Sequence, residues 1–218
     1  MAVASRVDRR AQVWAWGVVA GIVVYIGVDV LLKFLRPEYS LVHNAESDYG
    51  RGPYFWVMDL NFLLRCAFSV ALTGAIGLST QMDARWRRGR ELLLVWAIGS
   101  GLLAFFADDV EGTPQRGSGA VHLVLALIAF TAVTIGTVLA SLHFREDLQW
   151  RSISTTLLVI SCVGVLALLL LGHSAGKVHS DGGLFERIFL GVELLWMAVA
   201  AIWIVRSKAG PSGAVLST

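Results

Sequence analysis

His43, Ser47, Asp48, Asp108, Asp109, His122, His173 and His179 are the residues of this chain whose types could do chemistry together. Imidazole and carboxylate groups suit zinc, and a zinc with an open position activates water against an ester, amide or phosphoester. His43, His122, His173 and His179 are the candidate metal ligands, and Ser47, Asp48 and Asp109 the candidate catalytic groups. Their spacing is not that of a compact site. No HExxH occurs, and His173 and His179 lie in the glycine-rich stretch LGHSAGKVHSDGG. Solvated loop positions and helix caps are the commoner roles for such residues. The GHSAG letters match a nucleophile elbow, but that turn needs a strand running into a helix. No Walker loop or GxGxxG is present.

A second set of polar residues lies where the sequence is otherwise oily. Asp29, Asp59, Arg65 and Glu193 interrupt long apolar runs, and each costs at least about 2.5–3.5 kcal/mol near a bilayer centre if unpaired. At ~1.5 Å rise per residue, Arg65 and Glu193 fall at similar depth, roughly 16 and 13 Å from the starts of their runs. That predicts an Arg65–Glu193 ion pair. Asp29 and Lys33 stand i,i+4 in the favourable acid-first order, which predicts a second pair. Such charges either fix helix register by pairing or line a polar funnel entering from one surface.

The elements that must position these residues are long and apolar. Of 218 residues, 56% are hydrophobic and only 16% charged, against about 25% charged in soluble domains. Six stretches approach the ~20 residues needed to cross ~30 Å of hydrocarbon: roughly Val13–Phe34, Tyr54–Thr80, Glu91–Ala107, Gly119–His143, Ile153–Leu171 and Leu184–Val205. The reading is an all-α polytopic membrane protein with six transmembrane helices in one bundle. Residues 1–12 form a cytoplasmic N-terminal segment, 13–206 the transmembrane domain and 207–218 a disordered cytoplasmic tail. The first run is too long for a signal-peptide core of about 7–15 residues, so it reads as a retained helix. Gly17 and Gly21 supply a close-approach face for a neighbouring helix. Cys66 and Cys162 read as small buried apolar residues.

Basic residues set the orientation. The start holds Arg6, Arg9 and Arg10, and the second-to-third connection Arg85, Arg87, Arg88 and Arg90. The fourth-to-fifth holds Arg145 and Arg151, and the far end Arg206 and Lys208. These eleven outweigh the six of the opposite loops, so both termini are expected in the cytoplasm. The opposite loops hold Asp, Glu and four of the five histidines, which makes that face the candidate functional one. With a net charge of +2 and no dense basic stripe, nucleic acid is not an expected partner.

Three segments carry a family resemblance: LRPEYSLVHNAESDYGRGPYFWVMDLNFLL, FFADDVEGTPQRGSGAVHLVLALIAF and GLFERIFLGVELLWMAVAAI. Together they resemble the bacterial integral membrane family called domain of unknown function 998, from about Val13 to Val205. The motif positions fall on Arg36, Pro37, Tyr39, His43, Ser47, Asp48, Phe106, Asp109 and His122. Ala107 stands where the family commonly has proline, which weakens the turn expected there. The resemblance implies a six-helix bundle in a bacterial inner membrane and supplies no activity. A more distant likeness is to membrane hydrolases with Ser, Asp and His near one face.

The leading expectation is a protein that binds a lipid or a partner membrane protein at its extracytoplasmic face, in a groove with Tyr54, Phe55 and Trp56 on its walls. The alternatives are a metal-dependent hydrolase acting on lipids, with zinc as cofactor, and a small transporter using Asp29, Asp59, Arg65 and Glu193.

Overall fold

The computed structural model describes residues 7–109, 116–174 and 181–207. The described residues form six α-helices: α1 Arg9–Leu35, α2 Phe55–Gly77, α3 Ala84–Leu103, α4 Ser118–Phe144, α5 Arg151–Ser174 and α6 Gly182–Arg206. There is one 3₁₀ turn, Glu46–Gly50, between α1 and α2. Each helix packs on its chain neighbours, α6 closes the ring against α1, and α2 touches α6 across the middle. Gln12 on α1 donates to the Val205 and Ser207 carbonyls at 3.3 and 2.7 Å, so the start of α1 and the end of α6 share one end of the bundle. The other end carries the long loop 36–54.

All helices but α3 are long and apolar enough to cross a membrane. Their outward faces are apolar too. Val23, Phe34, Leu127 and Leu169 are each more than half exposed, a pattern that needs hydrocarbon rather than water as solvent. The third run differs from expectation at its start. α3 begins at Ala84, not Glu91, because the Asp83 carboxylate caps it by accepting from the Trp86 amide at 2.6 Å. Its first two turns therefore carry Arg85, Arg87, Arg88 and Arg90, which keeps it out of the apolar class. Likewise Arg9–Gln12 are helical rather than part of a leading segment. The expected tail, from residue 208 on, lies outside the described residues.

Inside the bundle, packing is aromatic. Phe144 stacks on Trp150 with centroids 4.2 Å apart and planes at 11°, and Trp196 lies beyond at 6.3 Å. Three of the four fully buried indoles find hydroxyl or carbonyl partners, as buried indoles usually do: Trp96 donates to Ser69, Trp150 to the Ser79 carbonyl and Trp196 to Ser141, whereas Trp86 Nε1 has none. α3 and α4 come close where Gly89 and Gly136 face one another. A Cβ on either would sit 3.3 Å from the other's carbonyl oxygen, the small-residue contact that suits helices in lipid. Gly21 packs on Phe68 in the same way, whereas Gly17 meets nothing. Cys66 is half-buried and Cys162 faces outward, so only the first approaches the expected placement.

Candidate functional site

The loop between α1 and α2 folds back over its end of the bundle and buries charged groups there. The Arg36 guanidinium holds its base: Nη1 donates to the Arg51 and Pro53 carbonyls at 2.5 and 2.9 Å, and the group lies 4.5 Å over the Tyr39 ring. Gly52, at φ +66, passes beneath that guanidinium in a conformation that costs glycine least. The R-P-x-Y letters are thus a loop-pinning device. Further along, Arg187 of α6 clamps the loop, with Nη1 donating to the carbonyls of Leu41, Asn44 and Gly183 at 3.2, 2.6 and 3.1 Å. Gly183 is required at that contact. A Cβ there would lie 2.1 Å from the Asn44 oxygen.

The clamp drives the 3₁₀ turn inward, and all five of its residues are buried. Glu46 reaches α1, where the Tyr25 hydroxyl donates to its carboxylate. Its own amide donates to Glu186 of α6 at 2.9 Å. Arg65 of α2 completes the node, donating from Nη1 to the Tyr25 hydroxyl at 3.0 Å and from Nε to Ser100 at 3.1 Å. Its guanidinium also lies 4.7 Å over the Trp96 ring, a favourable seat for a desolvated cation. Burial, reinforced by the nearby Asp29 charge, pushes the Glu46 carboxyl up to about 7, against the pull of Arg65, Tyr25 and Arg187. Burial also raises Asp48, though Arg51 and Asn44 hold its charge.

Beside this node a groove of about 350 Å³ opens between α1 and α6, within the usual size range for small-ligand sites. Asp29, Glu46, Tyr25 and Arg187 line its polar end. Ile22, Ile26, Leu190, Leu194, Leu195 and Ala198 line the rest. Gly191 lies on its wall, and a Cβ there would meet nothing within 4 Å. Two atoms sets at the polar end lack partners. Asp29 Oδ1 is buried with no hydrogen bond, and so are Arg187 Nε and Nη2.

The candidates from sequence scatter around this site. Among the intramembrane charges, Asp29 enters the groove and Arg65 the buried node. Asp59 faces Gly50, and Glu193 packs against Gly164 of α5. The expected Arg65–Glu193 pair is not formed. Arg65 bonds Tyr25 and Ser100 instead, and both Glu193 oxygens lack a hydrogen-bond partner. Helical depth matched the two residues, but their side chains leave α2 and α6 toward different neighbours. The Asp29–Lys33 pair does not form either, because Lys33 turns to the Pro37 and Tyr39 carbonyls.

Among the described residues the metal candidates do not converge, and no group of three or more His, Cys, Asp or Glu there could hold an ion. His43 is exposed, 3.9 Å from Asp181. His122 Nδ1 contacts the Phe106 carbonyl at 2.6 Å. Ser47 donates to Asp108 at 3.3 Å, and Asp48 pairs with Arg51. Asp109 accepts from the Arg116 amide at 2.6 Å. His173 ends α5, and His179 lies outside the described residues. Tyr54, Phe55 and Trp56 are exposed at the start of α2 and do not line the groove.

Sequence reading passed over Tyr25, Glu46, Glu186, Arg187 and Gly191. A usable signal was the α6 stripe Arg187, Gly191, Leu194, Leu195 and Ala198, one helical face with its charge at one end.

Five apolar helices with apolar outward faces, ringed around buried charge, define a multi-pass helical membrane protein. The chain belongs to the family described as proteins of unknown function, DUF998, whose model matches residues 18–203. No curated protein and no solved structure matches it.

Proposed function

We propose that this protein binds one membrane lipid in the groove between α1 and α6, headgroup at the long-loop end and acyl chain along the apolar wall. The observation that carries the reading is the groove's polarity: charge at one end only, then Leu190, Leu194, Leu195 and Ala198. From Arg187 to Ala198 the wall runs about 16 Å at the α-helical rise, close to half of a ~30 Å hydrocarbon core. A lipid of one leaflet therefore fits with its head and tail both matched.

The same reading takes all six helices as spans, both termini as cytoplasmic and the bacterial inner membrane as the site. The shared position of the α1 start and the α6 end supports an even number of crossings, hence α3 as the sixth. The excess of arginine at that end supports its cytoplasmic placement. The groove then opens to the outer leaflet. A transporter gains little support, since α2 and α6 run unbroken past Arg65 and Glu193.

Native mass spectrometry of detergent-purified protein tests the proposal. The wild type should retain one lipid per chain. Gly191→Leu, whose Cβ meets no protein atom within 4 Å and whose side chain adds bulk at the groove wall, should lose it while keeping its thermal unfolding midpoint. Equal retention by the two, or a second copy of the chain in place of lipid, would refute the proposal.

A further inference from the structure

We infer that the lipid is an aminophospholipid, its primary ammonium meeting Asp29 and its phosphate meeting Arg187. This rests on the lipid-binding reading above and narrows it to one headgroup chemistry.

The argument is from unspent hydrogen-bonding capacity. Charged groups at partial burial are expected to be paired, since each lone one carries a desolvation cost. At the polar end of the groove Glu46 is engaged, taking the Tyr25 hydroxyl and giving its amide to Glu186. Arg65 is engaged with Tyr25 and Ser100. Asp29 and Arg187 are the two that keep capacity. Asp29 Oδ1 accepts nothing; Arg187 gives Nη1 to backbone carbonyls and lies 5.8 Å over the Tyr49 ring, while its Nε and Nη2 make no hydrogen bond. Both residues line the groove, and they form no ion pair with each other within 4 Å.

A single occupant that satisfies both ends must bring a donor cation and an acceptor anion a few ångströms apart. An ammonium gives N–H groups to Asp29. A phosphate accepts from two parallel guanidinium N–H groups, the geometry arginine favours. Phosphatidylethanolamine offers both. Phosphatidylcholine has the phosphate but no N–H, so Asp29 stays unbonded. Phosphatidylglycerol has the phosphate but no cation, and its net negative charge faces Asp29 and Glu46. The expected order of retention is ethanolamine, then choline, then glycerol.

The experiment is competitive retention of the three headgroups with matched acyl chains, read by native mass spectrometry on the full chain after delipidation. Ethanolamine should exceed choline by about tenfold, the scale of one charge-assisted hydrogen bond. Asp29→Leu should erase that margin, and Asp29→Asn, the more conservative change, should shrink it, with phosphate-dependent retention kept in both. Equal retention of ethanolamine and choline by the wild type overturns the headgroup assignment and leaves lipid binding intact. So does an unchanged margin in both Asp29 variants. No retention of any of the three, together with indifference to Gly191→Leu, overturns the lipid-binding reading itself.

Discussion

At the end of the bundle that holds the start of α1 and the end of α6, Thr80, Asp83, His143 and Asp147 close on one another. Thr80 Oγ1 lies 2.7 Å from His143 Nε2 and donates to Asp147 at 2.6 Å, and His143 Nδ1 lies 3.0 Å from Asp83. Arg85 pairs with Glu146 nearby. At the long-loop end the charges are as dense, yet Asp29 and Arg187 keep atoms with no partner. Both ends are rich in His, Asp and Arg, and each has a cavity, of about 630 and 350 Å³, so neither composition nor space separates them. The charged groups do. At the first end Asp83, Glu146 and Asp147 each have a partner and join the α2–α3 turn to the α4–α5 turn, leaving a neutral amide, Gln149 Nε2, without one. At the second, a carboxylate oxygen and two guanidinium nitrogens are left without partners beside the groove.

The hardest blow to the long-loop end should come from Arg65→Leu. It leaves the buried Tyr25 hydroxyl and Ser100 without their donor, at about 1–3 kcal/mol for each group left unsatisfied, read as a large drop in thermal unfolding midpoint in detergent. A midpoint near wild type would mean the buried node contributes little, and the contrast between the ends would lose its energetic content.

Next in size is the pH response. Glu46 holds its proton up to about 7 in the folded state, against an ordinary 4.5. The folded protein therefore binds the extra proton between those values, and stability should rise as pH falls from 8 to 5. The gain is at most about 3 kcal/mol from the linkage relation, and it levels off below pH 4.5. Tyr25, Asp29, Arg65, Glu186 and Arg187 surround the carboxyl and titrate or screen with it, so the comparison is with Glu46→Gln. That variant should show a flatter curve over the same window. Parallel curves would remove Glu46 as the source.

His143→Ala should cost about 1–3 kcal/mol by leaving Thr80 and Asp83 short of a partner, with lipid retention unchanged. Retention that falls with it would erase the division of labour between the ends. The smallest stability effect belongs to Asp29→Asn. Its buried Oδ1 makes no hydrogen bond, so removing the charge relieves a desolvation cost and the midpoint should hold or rise slightly, while headgroup preference shifts.

How much of this could be read from sequence follows from what each signal measures. Apolar runs report the solvent along a helix, so α1, α2, α4, α5 and α6 were legible. The start of α3 was not, because Asp83 and its capping hydrogen bond carry the helix through four arginines that hydropathy counts as loop. Depth was legible for Arg65 and Glu193, since rise per residue is fixed. Their partners were not, because partner choice depends on how each helix is rotated against its neighbours. Glu46, Glu186 and Arg187 looked like loop charges. Only the inward fold of the loop turns them into a buried node, and that fold is decided by contacts such as Gly183 against Asn44, far apart in the chain.

Ring closure between α1 and α6 has a consequence for biogenesis. α1 receives its second neighbour only after α2 to α5 have been made and α6 enters the bilayer. Until then Asp29 and the apolar wall of α1 at Ile22 and Ile26 face lipid or other chains, and the Glu46 amide has no Glu186 to receive it. The pocket is completed only when α6 has been made, so a nascent chain lacking α6 displays half a site and half a clamp. That makes the insertion of α6 the step that separates a bundle with a whole pocket from one without.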